Sequence, residues 1–271
     1  MKIISVGEIT YDDYLRQNLF FVGGISLNFA VHAKRSGAEQ VSLVSCVGTD
    51  EAGQVVLAAL AREGVDHSHV TVLEGKTAVC AIDVHDNADR FFPPHGYHLN
   101  VLTQLKELPE ETIAFVRQHD IIMSLYQGAW SAPFLNQLLA LPNFAGKRAV
   151  DFGDWSSGRS KEGAFDALRR VDLAFISGDE ETVHRMRPLA AAVDGLVVVT
   201  LGAAGSVALT KEGEVWQTAV SVSNPVDSTG CGDSFQATFA INYFRDGDVA
   251  NALHKGAERA AGVLQHYGAF G

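Results

Sequence analysis

Short apolar runs alternate with longer amphipathic stretches along most of the chain. The apolar runs cover residues 3–6, 41–47, 121–125, 149–152, 173–176 and 196–201. This alternation is typical of strands that feed helices around a mainly parallel sheet. The pattern therefore predicts an α/β fold.

Two of the amphipathic stretches carry clear helix signals. Residues 51–63 end directly before Gly64, a residue type that often terminates helices. Residues 251–265 place four apolar side chains on one helical face: Leu253, Ala257, Ala260 and Leu264. Both stretches are predicted to be helices that cover the sheet.

Two segments, at about 8–22 and 77–98, interrupt this alternation. The second contains TAVCAIDVHDNADRFF, in which apolar and polar residues alternate as in a half-exposed hairpin. We expect the two segments to form a small β-lid beside the sheet, and a further hairpin to turn at 211–214. Because no repeat or flexible linker divides the chain, residues 1–271 are predicted to form a single domain.

The charge and cysteine content limit the environment and the partners. The chain has 32 acidic and 21 basic side chains, a formal net charge of -11, so nucleic acid would be repelled and is not expected as a partner. Cys46, Cys80 and Cys231 lack CxxC spacing and favour neither a disulfide framework nor a zinc site. With no long apolar stretch and no signal peptide, the chain is expected to be cytoplasmic, without membrane contact.

The most informative segment is VDSTGCGDSFQATFA, residues 226–240. Gly230 and Gly232 flank Cys231, so the backbone can turn tightly and aim N–H groups at one point, where the following helix adds the positive end of its dipole. This arrangement suits a phosphate, and Asp233 beside it is a candidate base for an attacking hydroxyl. The alternative is that Asp233 caps a helix that follows an ordinary turn.

Two signatures resemble those of the ribokinase-like (PfkB) carbohydrate kinases. DSTGCGDSF is similar to the family's C-terminal motif, and FVGGISLNFAVHAKRSGA with VSLVSCVGTDEAGQ is similar to its N-terminal motifs. The resemblance implies a three-layer α/β/α sandwich with a mainly parallel sheet and a small β-lid. It also implies that Asp233 is the catalytic base and that the N–H groups of Gly230, Cys231, Gly232 and Asp233 form the anion hole. For the Cys231 thiol, packing is favoured over reactivity.

The N-terminal motif supplies candidates for sugar binding. Gly23 and Gly24 let the backbone close on a sugar, the Asn28 amide can donate and accept, and Asp12 offers an acceptor for hydroxyls. The alternative is a plain turn followed by a capped helix.

The resemblance also implies a nucleotide and metal site. In TLGAAG, Thr200, Gly202 and Gly205 match residues that lie near ATP. Glu180 matches the glutamate that positions Mg²⁺ through water, although Ser177 stands where the family has asparagine. In many relatives a monovalent cation binds near the positions of Asp227 and Thr229, which leaves a K⁺ site open here.

Features outside the kinase motifs resemble the fructoselysine 6-kinase and fructosamine kinase branch. They are VHDNADRFF, AVDFGDWSS and LQHYGAFG. The resemblance implies transfer of the ATP γ-phosphate to the 6-hydroxyl of a fructose–amino acid conjugate, fructose-lysine or fructose-asparagine. Arg90 then pairs with the amino-acid carboxylate; the alternative is a salt bridge to Asp86 or Asp89.

Other functions stay open on the sequence alone. The acceptor could be ribose, a nucleoside or a keto-acid sugar, and a non-catalytic sugar-binding protein of the same fold is the alternative from another class. Exposed edges of the lid also predict a homodimer that forms through the lid.

Overall fold

The computed structural model describes residues 1–156 and 163–271. The strands are β1 (Lys2–Val6), β2 (Thr10–Tyr14), β3 (Leu19–Gly23), β4 (Gln40–Gly48), β5 (Asp66–Leu73), β6 (Val79–Val84), β7 (Arg90–Phe91), β8 (Tyr97–His98), β9 (Ile121–Leu125), β10 (Lys147–Asp154), β11 (Leu173–Ser177), β12 (Leu196–Thr200), β13 (Ser206–Leu209) and β14 (Glu214–Gln217). The helices are α1 (Ile25–Arg35), α2 (Glu51–Glu63), α3 (Glu110–Val116), α4 (Ala132–Ala140), α5 (Ala164–Leu168), α6 (Glu180–Ala192), α7 (Cys231–Asp246) and α8 (Val249–Val263).

The central sheet is mainly parallel. Within the described residues its strand order is β14-β13-β12-β11-β10-β9-β1-β4-β5. The strands from β12 to β5 pair in parallel, while β13 and β14 form an antiparallel hairpin at one edge. The predicted hairpin around 211–214 is therefore confirmed.

Helices cover both faces of this sheet because its strands are apolar on both sides. Ile3 packs into one hydrophobic core with side chains of α1, α2, α7 and α8. The next residue, Ile4, packs into a second core with side chains of α3, α4, α5 and α6. Successive side chains of a strand point to opposite faces, so the two cores lie on opposite sides of the sheet. The predicted three-layer α/β/α sandwich is confirmed.

A second sheet lies beside the first and is here called the lid sheet: β2, β3, β6, β7 and β8. Its order is β3-β2-β6-β7, with β8 also paired to β6. These strands come from the two segments that interrupt the alternation. A small core of Tyr14, Cys80, Ile82 and Val84 holds them together, with Phe21 and Tyr267 packed against it.

Local signals set the helix boundaries well, but not everywhere. Helix α2 spans the predicted residues and ends at Gly64, which adopts a φ of 68°. Helix α8 begins two residues before the predicted start because Asp248 caps it by accepting the Asn251 N–H. The last serine of the AVDFGDWSS stretch, Ser157, lies outside the described residues. No helix in the described part of the chain is both long and apolar enough to span a membrane.

Candidate active site

The candidate site lies at the carboxyl ends of the central strands. The chain leaves β1 toward β4 on one side, whereas β9 lies on the other side of β1. Such a reversal of strand order opens a crevice in which α/β proteins bind ligands. Side chains that follow β1 and β9, together with the start of α1 and of α7, surround this crevice.

Helix α7 begins with the glycine-rich turn. Gly230 is the N-cap residue and adopts a φ of 78°, a left-handed conformation that favours glycine. A Cβ at this position would also overlap Ala269. The Cys231 N–H donates to the Ser228 carbonyl at 3.3 Å, whereas the first turn of a helix leaves N–H groups without intrahelical acceptors. The turn therefore fits a phosphate at the positive end of the α7 dipole.

Asp233 is the third residue of α7, not its cap, so the capping alternative does not describe its role. Its Oδ2 accepts a hydrogen bond from Asn28 Nδ2 at 2.8 Å. Burial raises the pKa of Asp233 to about 7; the bond from Asn28 and the charge of Arg90 oppose this, and the charges of Asp151 and Glu8 add to it. A carboxyl group with a pKa near neutrality can accept a proton in its ionised form.

The acceptor side of the site is built from β2, β3 and the start of α1. Asp12 on β2 is 4% exposed, and Thr10 Oγ1 donates to its Oδ1 at 2.6 Å. Gly23 on β3 pairs with Thr10, and its lack of a side chain leaves room for the Asp12 carboxylate, since a Cβ at Gly23 would overlap Asp12 Oδ2. Gly24 adopts a φ of 100° and caps α1. Burial raises the pKa of Asp12 to about 7, and the charges of Glu8 and Asp233 contribute.

Glu8, which was not predicted as a site residue, lies two residues beyond the end of β1. Its carboxylate is buried and accepts hydrogen bonds from Tyr97 Oη, from the Ile25 N–H at 2.9 Å and from Gln127 Nε2 at 3.4 Å. Asp151 on β10 is also buried, and its charge raises the pKa of both Glu8 and Asp233. Glu8 follows β1, and Asp151 lies in the carboxyl-terminal half of β10 opposite the last residue of β9; this position near the ends of parallel strands was the signal that could have identified them.

Arg90 lies at the tip of the lid, where β7 begins. Its Nη1 donates to the Ser228 carbonyl at 2.6 Å, and its guanidinium lies 5.6 Å from the centre of the Phe92 ring. Its salt-bridge alternative is not observed, because neither Asp86 nor Asp89 forms an ion pair with it in the described part of the chain. Arg90 thus joins the lid to the turn before α7 and lies within electrostatic reach of Asp233.

Asp227 and Thr229, the candidates for a cation site, lie in the same turn. Asp227 is fully buried and accepts three hydrogen bonds: from Tyr14 Oη at 2.7 Å, the Thr229 N–H at 2.8 Å and the Gly268 N–H at 2.9 Å. These three donors leave about one lone-pair position of the Asp227 carboxylate for a cation. The Cys231 thiol donates to the Ala260 carbonyl, and burial raises its pKa to about 12, which agrees with packing rather than reactivity.

The candidate nucleotide residues lie at the ends of β11 and β12. Thr200 Oγ1 lies 3.1 Å from Ser177 Oγ. Gly202 and Gly205 form a tight turn in which the Gly205 N–H donates to the Gly202 carbonyl at 3.0 Å. Glu180 is exposed at the first position of α6.

A metal ion at this site would depend on the nucleotide for most of its ligands. Among the described residues, no three His, Cys, Asp or Glu side chains converge closely enough to hold an ion. Mg²⁺ is usually bound by one or two carboxylates with phosphate oxygens and water. The exposed carboxylate of Glu180 fits that type of site.

Comparison with known proteins agrees with this geometry. Residues 3–270 match the family described as pfkB family carbohydrate kinase. The chain is 34% identical over 273 residues to fructoselysine 6-kinase of Escherichia coli (strain K12), covering 99% of both chains. It is 31% identical over 281 residues to fructosamine kinase FrlD of Bacillus subtilis (strain 168), covering 100% of this chain and 93% of that protein.

The fold is shared with solved structures at lower identity. Arabidopsis thaliana ribokinase, complexed with ribose and ATP, superimposes with a TM-score of 0.82 at 18% identity, over 99% of this chain and 94% of that chain. The match along nearly the whole sequence and the glycine turn beside Asp233 lead to the same conclusion. The chain belongs to the pfkB family of carbohydrate kinases and is an ATP-dependent sugar kinase.

Proposed function

We propose that the protein transfers the γ-phosphate of ATP to the 6-hydroxyl of a fructose–amino acid conjugate such as fructose-lysine or fructose-asparagine. The observation that carries the transfer is the Asp233 carboxyl at the start of α7, with a pKa raised to about 7 beside a turn suited to phosphate. Similarity along the full chain to fructoselysine 6-kinase and fructosamine kinase FrlD supports the acceptor.

Asp233 is the base in the proposed reaction. Its carboxylate takes the proton of the 6-hydroxyl as that oxygen attacks the γ-phosphorus; the new O–P bond forms and the bond to the ADP oxygen breaks. Negative charge on the transferring group is stabilised by backbone N–H groups of the turn, those of Gly230, Gly232 and Asp233. The Cys231 N–H already donates to the Ser228 carbonyl. Asn28 holds the carboxylate in place through its amide.

The other predicted site residues have supporting roles. Thr200, Gly202 and Gly205 line the nucleotide side. Glu180 would hold Mg²⁺ through water, and that ion would neutralise charge on the ATP phosphates when bound. A K⁺ ion near Asp227 and Thr229 would use the lone-pair position that the three donors leave on Asp227.

Arg90 is proposed to contact the carboxylate of the amino-acid part of the acceptor. It is exposed on the lid and uses Nη1 on the Ser228 carbonyl, which leaves other guanidinium N–H groups for a ligand. In an Arg90→Ala variant we expect KM for fructose-lysine to rise by about tenfold. An unchanged KM would limit Arg90 to joining the lid to the turn before α7.

The lid is also proposed to form a homodimer interface. Several large apolar side chains on it are exposed: Leu15, Leu19, Phe20, Phe91 and Phe92. Exposed apolar patches of this kind usually mark an interaction surface. A second copy of the chain would cover them by an isologous contact.

The decisive experiment is an ADP-release assay with a panel of acceptors: fructose-lysine, fructose-asparagine, fructose, ribose, a nucleoside and a keto-acid sugar. We expect kcat/KM to be highest for a fructose–amino acid conjugate, with phosphate found on O6 by NMR. A higher kcat/KM for any other acceptor would replace the proposed substrate. ADP release with none of them would favour a sugar-binding protein without turnover.

A further inference from the structure

The acceptor side of the site carries more negative charge than hydroxyl recognition requires. Glu8, Asp12 and Asp151 are each at most 6% exposed. Together with Asp233 they act on one another: the charges of Glu8 and Asp233 raise the pKa of Asp12, and that of Asp151 raises the pKa of Glu8. Burying carboxylates together costs free energy unless a cation or several donors offset it. Arg90 opposes the charges of Asp12 and Asp233, but it is exposed and already bound to Ser228.

Glu8 is the member of this group whose position is fixed most firmly. Its donors come from three different elements: Tyr97 on β8 of the lid, the Ile25 N–H at the start of α1, and Gln127 beyond β9. A carboxylate has roughly four lone-pair positions, so three donors leave room for about one more. The side chain is thus held as an acceptor at the opening between β1 and β9.

Two simpler explanations of this charge do not fit. A metal ion is not favoured, because no three suitable side chains converge within residues 1–156 and 163–271. A neutral sugar needs a carboxylate such as Asp12 for its hydroxyls, and it leaves Glu8 with three neutral donors and no opposite charge.

A second feature points to a ligand with hydrogen-bond donors on the same side. Asn28 is 3% exposed, and its Nδ2 donates to Asp233. Its Oδ1 is buried and has no hydrogen-bond partner. A buried amide oxygen without a donor is costly, which is expected where a ligand supplies the donor.

We propose that the acceptor pocket recognises a protonated amine on the sugar, and that Glu8 is the carboxylate that determines this specificity. The inference rests on the proposed function: a fructose–amino acid conjugate carries a secondary amine on C1, and alkylamines of this kind are protonated at neutral pH. The substrate class is therefore a 1-amino-1-deoxyketose with a basic nitrogen. Conjugates of equal size with a neutral linking atom are poor acceptors.

The first test uses the wild-type enzyme and two acceptors of the same shape. One is fructose-lysine, and the other is its analogue in which an ether oxygen replaces the linking nitrogen. Hydrogen bonds to charged groups contribute enough to predict a kcat/KM about 10- to 100-fold higher for the amine than for the ether. A ratio within about twofold of one overturns the inference.

The second test assigns the effect to Glu8. In Glu8→Gln the amide oxygen can keep Tyr97 and Gln127 as donors, whereas the NH2 group loses the bond from the Ile25 N–H and the side chain carries no charge. The amine-to-ether ratio should therefore fall by about tenfold or more. The matched control is Asp13→Asn, which removes a carboxylate from the same lid sheet: Asp13 is half-buried on β2, where alternation directs it away from the Asp12 side. The control should keep the wild-type ratio.

Each result is decisive. Thermal unfolding shows whether both variants are folded. If Glu8→Gln does not fold, the amine-to-ether ratio of the wild-type enzyme alone decides whether the pocket recognises the amine. An unchanged ratio in folded Glu8→Gln overturns the role of Glu8. If neither conjugate gives ADP while ribose or a nucleoside does, the proposed function fails and the inference fails with it. Equal ADP release from amine and ether instead overturns the inference and leaves the proposed function intact.

Discussion

At the scale of single residues, the site is defined by two carboxyl groups, the half-buried Asp233 and the buried Asp12. Burial raises the pKa of each to about 7. The charges of Glu8 and Asp233 add to the rise for Asp12, and those of Asp151 and Glu8 add to it for Asp233. The raised pKa of neither group could be predicted from the sequence, because it is caused by residues that are close in space but distant along the chain. The consequence is a base whose charge changes near neutral pH.

Replacing Asp233 by Asn tests the base directly. The amide keeps the size of the side chain but cannot accept the proton, so kcat should fall by about 10² to 10⁴. A coupled ADP-release assay at saturating ATP and acceptor measures it. The control is Asp246→Asn at the exposed end of the same helix, which should retain normal turnover. Near-normal kcat in Asp233→Asn would remove Asp233 from the mechanism.

The pH dependence follows from the raised pKa of Asp233. The ionised carboxylate is the active form, so kcat/KM should rise with pH and level off above about 7; at pH near 6 it should be about tenfold below the plateau. Asp12 titrates in the same range, so the observed value belongs to the pair. A profile that is flat from about pH 5.5 to 8.5 would contradict a base of this kind.

The site also requires that residue 23 has no side chain. In Gly23→Ala the new Cβ overlaps Asp12 Oδ2, so the carboxylate must move away from the acceptor. We expect kcat/KM for the sugar to fall by about tenfold or more, with a smaller effect on KM for ATP. Gly262→Ala is the control, since its Cβ meets no neighbouring atom. Equal losses for both substrates would indicate general misfolding instead.

At the scale of elements, Asp50 joins α2 to the segment that enters β6. It caps α2 by accepting the Gly53 N–H at 3.1 Å, and it also accepts the Thr77 N–H at 3.0 Å and Thr77 Oγ1 at 2.6 Å. This explains why an aspartate stands at this position of the N-terminal motif. The motif contributes to the site by fixing where the lid sheet begins.

Asp50→Ala should therefore lower the free energy of unfolding by more than the removal of an ordinary helix cap does. The cap contributes about 0.5–2 kcal/mol, and leaving buried Thr77 without its acceptor adds about 1–3 kcal/mol. We expect the free energy of unfolding to fall by about 2–4 kcal/mol in urea denaturation. Glu51→Ala, at the exposed next position, should change it by about 0.5 kcal/mol or less. Similar losses in both variants would contradict the link to Thr77.

At the scale of the whole molecule, the lid sheet is tied to the turn that carries Asp233. Tyr14 on β2 donates to Asp227, and the Ser228 N–H donates to the Ala88 carbonyl at 3.0 Å. Arg90 adds its bond to the Ser228 carbonyl. The acceptor side and the phosphate side are therefore coupled through this turn. We propose that a second copy of the chain covers the outer apolar surface of the lid.

The proposed homodimer can be tested by measuring the molar mass of the protein in solution. Wild-type protein should elute with twice the mass of one chain in size-exclusion chromatography with light scattering. Phe20→Asp places a charge on the lid at a side chain that is 52% exposed, and it should shift the mass toward the monomer. Trp216→Asp, equally exposed but on β14 at the far edge of the central sheet, should remain dimeric. A monomeric wild type would rule out the interface.

The sequence by itself determined the fold class, the position of Asp233 after a glycine-rich turn, and the strands of the central sheet other than β5. The edge strand β5 was not predicted because it is mostly polar and largely unburied. These depend on local properties: apolar runs of strand length, caps such as Gly64, and glycines that permit a left-handed turn. Each of these signals lies within a few consecutive residues, so it can be recognised without knowing the tertiary structure. The start of α8 was misjudged because the cap that sets it lies outside the apolar pattern.

Only the tertiary structure decided which side chains meet. Asn28 and Asp233 are 205 residues apart in sequence, and Glu8 lies 89 residues from Tyr97, yet each pair forms a hydrogen bond. The raised pKa of Asp233, the three donors on Asp227 and the contact of Arg90 with Ser228 have the same origin. They depend on how the strands are ordered in the sheet and on where the lid rests, and neither is encoded in any local stretch of the chain.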